Sequence, residues 1–224
     1  RYTFKNDIRN IINIGKVMTQ ISFKASFVKN AQVQQTLSNN QTREKTVSIV
    51  ELDRNNLHDR IAMRDIAMDW GKNLRLYQPE GNNYATGIAD SMVSWAKPEQ
   101  YETNHYFLIT KQKKNFEHIT PEDVLGAAQF TEKKYEKNEL TWLQVDPKTN
   151  YKPNGNREFK GVGKALVEHI KSTSKKSIIL LADANAIPFY KNLGFKSYKN
   201  DLALMIYKTP SKFVQFCKDI LSKF

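Results

Sequence analysis

Two glycines one residue apart, Gly161 and Gly163, stand between a strand-like run and a helical stripe. Ahead of them, Leu140-Thr141-Trp142-Leu143-Gln144-Val145 has strand composition and ends at the turn starter Asp146-Pro147. Behind them, Leu166, Val167 and Ile170 mark one face of a helix. A strand, a turn-rich loop and a glycine-opened helix in that order restrict the chain to folds in which helices pack on a sheet. Glycines at a helix start also let backbone approach a ligand closely. The unpaired N–H groups of the first turn and the positive end of the helix dipole then favour a phosphate. Lys160 and Lys164 flank the turn and add charge. Tight turns use glycines in the same way without any ligand, so the pattern alone does not specify one.

The remaining segments extend this organisation. Residues 1 to about 28 carry helical spacing (Ile8, Ile11, Ile12, Gly15 and Ile14, Met18, Ile21) and predict one amphipathic helix. Residues 29–46 are polar and Asn/Gln-rich, and read as a linker or a solvated helix extension. Residues 46–52 alternate as a strand. Asp53 or Asn55 then offers a cap for a helix with Leu57, Ile61, Ile66 and Trp70 on one stripe, ending at Gly71. A second helix is expected over 84–96, and strands over 105–110, 124–131 and 140–145. Residues 148–160 read as a long loop. Ile178 to Leu181 is apolar throughout and predicts a buried central strand. A short helix over 186–192 closes at Gly194, a strand covers 203–207, and an amphipathic helix covers 210–223. The expected fold is a mixed α/β (α+β) sheet flanked by helices. Its expected organisation is a helical extension over 1–45, one domain over 46–208 and a terminal helix from 209.

Composition excludes several classes. No stretch approaches the roughly 18 apolar residues of a membrane span, and nothing resembles a signal peptide, so no membrane is expected among the partners. One cysteine, Cys217, among four histidines excludes an internal disulfide and a Cys-rich zinc site, and no metal is expected. A reducing, cytoplasmic setting fits. The net charge of +12 leaves RNA or another polyanion open as a partner, against the plainer reading of a solubilising surface.

A second block makes the pattern specific. Asp183-Ala-Asn-Ala-Ile-Pro-Phe-Tyr-Lys-Asn-Leu-Gly-Phe195 follows the apolar run 178–182. Ala-Ile-x-Phe-Tyr-x-x-x-Gly-Phe resembles the last block of the GNAT superfamily of N-acetyltransferases. Gly161-x-Gly163, after a strand ending Val145-x-Pro147, resembles their acetyl-CoA motif. The resemblance is good over about 104–208, extends plausibly from 46, and covers neither 1–45 nor 210–223. It implies that Leu143, Gln144 and Val145 run beside the pantetheine arm of acetyl-CoA, used as an acyl-donor cosubstrate. It implies that Lys160, Gly161, Val162, Gly163 and Lys164 cradle the diphosphate, and that Tyr190 protonates the departing thiolate. Two departures follow. Glu158 stands where the family usually has Gln or Arg, which points to Arg157 as the substitute. Asp183 stands in place of a frequent Asn, for which Asn185 could substitute, and the resemblance makes both candidate donor contacts.

The general base is open: Glu139 and Asp146 are candidates, against solvation for the first and turn formation for the second. Tyr77, Tyr84 and Tyr101 fall where an acceptor pocket would lie, and Trp70, Trp95 and Trp142 read as core. The expected activity is acetyl transfer to a primary amine, with protein or peptide amines, aminoacyl-tRNA and small amines all open as acceptors. The alternative is a catalytically weak or inactive basic module of the same fold that binds nucleic acid or a protein partner. A homodimer contact through residues 1–45 is also open.

Overall fold

The computed structural model describes residues 25–77, 81–94, 101–112, 114, 116–150 and 157–210. The helices expected before residue 25 and after 210, with Cys217 and Trp95, lie outside the described residues. Nine strands form one sheet in the order β6-β1-β2-β3-β4-β5-β7-β9-β8. They are β1 (Ser26–Thr36), β2 (Thr42–Leu52), β3 (Glu102–Thr110), β4 (Val124–Lys133), β5 (Asn138–Val145), β6 (Phe159–Lys160), β7 (Ile178–Leu181), β8 (Lys196–Tyr198) and β9 (Asp201–Tyr207). Every neighbouring pair is antiparallel except β5–β7. The helices are α1 (Leu57–Tyr77), α2 (Tyr84–Val93), α3 (Pro147–Asn150), α4 (Val162–Thr173) and α5 (Ile187–Asn192). Among the described residues no helix is long and apolar enough to cross a membrane.

The central strands sort their side chains by the period of two. On β3, Phe107 and Ile109 face one core with Leu166, Val167 and Ile170 of α4. Tyr106 and Leu108 face the other, with Met63, Ile66 and Trp70 of α1 and Ile88 and Met92 of α2. Strands covered on both faces carry near-continuous apolar runs, as β2, β3 and β4 do.

Several expectations change here. Residues 29–45 are no linker or helix: β1 and β2 form a hairpin paired from Ser26–Glu51 to Thr36–Thr42. Of β1 only Val33 is buried, and beyond Gln34 and Gln35 its outer side pairs with no strand, so a strand wet over most of its length hides its period. Asn40 turns the hairpin at φ 61°, a left-handed conformation that Asn tolerates better than most residues. Asn56, rather than Asp53 or Asn55, caps α1, its Oδ1 accepting the N–H of His58 at 2.9 Å and of Asp59 at 3.3 Å. Gly71 lies inside α1, which runs on to Tyr77. The expected loop 148–160 contains α3 and β6. β7 is the seventh strand of nine rather than central, with Leu181 exposed.

One contact seats α4 on the sheet. A Cβ at Gly126 of β4 would lie 2.7 Å from Val162 Cγ1 and 3.2 Å from Leu166 Cδ1. Only a residue without a side chain admits the first turn of α4 so close. Gly126→Ala is expected to cost about 1–3 kcal/mol by overpacking. Val162→Ala placed in that background removes the obstructing methyl and restores part of the loss. Urea-unfolding midpoints of the two single variants and the double variant measure this coupling.

Candidate functional site

The parallel pair β5–β7 is hydrogen-bonded only at Asn138–Ile178 and Glu139–Ile179. Beyond that the strands part. The bend has a local cause: Gln129 pairs with Trp142 and Phe130 with Leu140, leaving Thr141 as an extra residue on β5. Such a bulge re-aims a strand. From Thr141 to Val145 one edge of β5 therefore has no strand beside it. The gap is a cavity of about 850 Å3, within the range of small-molecule sites.

The head of α4 opens into this cavity. Gly161 precedes the helix at φ 86°, in the left-handed region, and no side chain caps the helix. The amides of the first turn are thus left for a ligand or solvent. Leu143, Gln144, Val145, Arg157, Lys160, Gly161, Val162, Gly163, Lys164, Asp183, Asn185 and Tyr190 all line the cavity. The structure therefore brings together every residue assigned above to donor binding, with the proposed acid. Arg157 faces the cavity, while Glu158 is tied into the β1 side through its carbonyl, which accepts the Thr36 N–H at 2.8 Å. The Gln144 side chain is committed elsewhere: its Oε1 accepts the Ala85 N–H at 2.7 Å at the head of α2.

Tyr190 sits in the wall, 8% exposed, between Phe189 and Phe195 at ring distances of 5.0 and 5.7 Å. Burial raises its phenol well above the ordinary tyrosine range, and the charge of Asp183 and then Tyr84 raise it further. Tyr190 thus stays protonated at neutral pH, the form in which a phenol can donate.

The two candidate bases stand apart from the cavity. Glu139 lies at the far end of β5, where its Oε2 is 3.1 Å from the Lys133 ammonium, itself 3.3 Å from Glu102. Asp146 follows Val145 directly and is 7% exposed. Its Oδ1 accepts the Lys148 N–H at 3.0 Å and its carbonyl the Thr149 N–H at 3.1 Å, so it opens α3. Of the three tyrosines placed on the acceptor side, Tyr84 lines the cavity and Tyr77 and Tyr101 do not. Trp70 is fully buried, and Trp142 stacks on Tyr84. The contact that sequence reasoning missed is a hydrogen bond from the Tyr84 hydroxyl to Asp183 Oδ2 at 2.5 Å, linking residues 99 apart in the chain.

The chain matches no protein-family model and no curated protein. Solved structures similar to it include a tandem GNAT protein from the clavulanic acid biosynthesis pathway, at 14% identity and a TM-score of 0.43. That match covers 68% of this chain and 45% of the other, so this chain spans less than half the length of the tandem protein. GCN5 of Tetrahymena is similar at 15% identity and a TM-score of 0.41, over 71% of this chain and 94% of that one. AtaTR bound with AcCoA is similar at 16% identity and a TM-score of 0.38, over 58% and 83%. These proteins are what the chain is similar to. At such values they carry no argument about its chemistry, which follows from the site itself.

Burial of Asp146 has a consequence for stability. Desolvation holds its carboxyl at about 6, above the ordinary 3.8, against the favourable pull of the Lys148 N–H and ammonium. A carboxyl raised on folding binds its proton more tightly in the native state. Its stability penalty is absent below pH 4, grows as pH rises towards 6, and is complete above 6. Asp146→Asn keeps the turn acceptor without the charge. Relative to the parent, the variant is expected to gain on the order of 2–3 kcal/mol between pH 4 and pH 7. Urea titrations of both proteins at the two pH values test this, and parallel stability–pH curves would remove the assignment.

Proposed function

We propose that the chain is an acetyl-CoA-dependent N-acetyltransferase acting on a primary amine. One observation carries this reading: the uncapped head of α4 and the unpaired edge of β5 open into the same cavity. A CoA thioester needs both an anion site and a backbone edge for its amides. The first-turn amides of α4 meet the diphosphate, aided by Lys160, Lys164 and Arg157. Backbone groups of Leu143 to Val145 pair with the pantetheine arm as a missing strand would. When bound, the thioester supplies an acyl carbon open to attack by the amine.

The protein's part is to align the two reactants and exclude water, and from such alignment comes much of the rate of acyl transfer. Tyr190 holds a proton in the wall and delivers it to the sulfur as the C–S bond breaks. The amine loses its own proton to solvent or to a base reached through water. Glu139 is held in an ion pair at the far end of β5 and Asp146 is committed to the start of α3, so neither is assigned that task here. The paired cations at the anion site and the open backbone edge favour this reading over a basic module that binds nucleic acid or protein through surface charge.

Calorimetric titration with acetyl-CoA is expected to show one site per chain. Gly161→Val, strained at φ 86°, is expected to weaken it about tenfold or more through distortion of the turn. Absence of binding at millimolar acetyl-CoA would favour the module. Tyr190→Phe is expected to lower kcat by about 10²- to 10⁴-fold with little change in KM for the donor. Equal rates across pH would remove Tyr190 from the chemistry.

A further inference from the structure

The cavity lining carries charges of both signs. Arg157, Lys160 and Lys164 gather at the α4 turn. Glu168 belongs to the lining, but its Oε1 is 2.8 Å from the Lys171 ammonium. The remaining acid of the lining is Asp183, on the loop after β7. The Tyr84 hydroxyl donates to its Oδ2, so the head of α2 and the β7–α5 loop are joined across the cavity. The other carboxylate oxygen accepts no hydrogen bond among the described residues, and the side chain is exposed to the cavity mouth. Beside it the Tyr84 ring stacks on Trp142 with centroids 5.4 Å apart.

We infer, on the basis of the transferase reading, that Asp183 positioned by Tyr84 is the subsite for the acceptor's ammonium group. Three features support an organic cation here. A half-engaged carboxylate offers an ion pair to a positive group. The Tyr84 hydroxyl holds that carboxylate at the cavity wall. The donor's anions are drawn to the cations of the α4 turn, while Asp183 offers the opposite charge from a different element of the same lining. The residue type matters as well. At the position where the resembled family often has asparagine, a carboxylate can only accept hydrogen bonds. It cannot donate to a carbonyl of the pantetheine arm as an amide can, and one of its oxygens is already engaged by a phenol. Tyr84 is a positioning residue that acts through Asp183.

The experiment is calorimetric titration of the CoA-saturated full chain with n-butylammonium, and with n-butanol as the neutral counterpart. CoA saturation is established first for every variant. The ammonium is expected to bind the parent and to weaken about fivefold or more in Asp183→Asn. In Tyr84→Phe, which keeps the ring stack and loses the hydroxyl, the loss is expected to be smaller but confined to the ammonium. n-Butanol should behave alike in all three proteins. Absence of ammonium binding to the CoA-loaded parent, a loss below fivefold in Asp183→Asn, or equal losses for ammonium and alcohol would overturn the subsite. Failure of CoA itself to bind, read before any amine is added, would instead overturn the transferase reading on which the subsite rests.

Discussion

The parting of two parallel strands governs this structure. β5 and β7 share only two residue pairs before the bulge at Thr141 turns β5 away. A continuous ladder would have closed the sheet and filled the space with backbone hydrogen bonds. Instead, one strand edge stands next to a cavity with its amides and carbonyls unpaired by any strand. Buried backbone groups without partners are costly, so such an edge persists only where solvent or a ligand can satisfy it. The proposed donor arm is a substitute strand, and its binding repairs an interruption that the fold builds in.

The head of α4 is the second half of the same arrangement. Its helix is seated by a residue with no side chain, Gly126, and turned by a residue that accepts a positive φ, Gly161. The amides are therefore aimed by packing against the sheet, not by a flexible loop. Around them stand cations near the turn, a carboxylate on the loop after β7, and a buried phenol between aromatic rings. Burial keeps the phenol protonated, while the charged side chains stay exposed to solvent.

Much of this was legible in the chain. The strand 140–145, the paired glycines and the stripe of α4 carry the periods and turn residues of a strand–loop–helix unit, and the block from Asp183 to Phe195 completes it. The candidate donor-site residues lie in three short segments, 143–145, 157–164 and 183–185. Other features were hidden for physical reasons. β1 is an edge strand with little apolar surface, so its composition resembles that of a linker. β6 has two residues and owes its existence to pairing with Gln34 and Gln35. The Tyr84–Asp183 bond joins distant segments, and no local period announces it. Asp146-Pro147 reads first as a turn starter and only second as a base; its backbone partners in α3 are visible only in three dimensions.

The same interruption divides the sheet mechanically. Strands β7, β9 and β8 form a small antiparallel unit of their own, joined to the six-stranded remainder by two ladder rungs and by the packing of α4 and α5. The last three strands are held chiefly by the side chains of Ile178, Leu180 and Met205 in the shared core, and a molecule lying across the gap would add a second tie between the two parts.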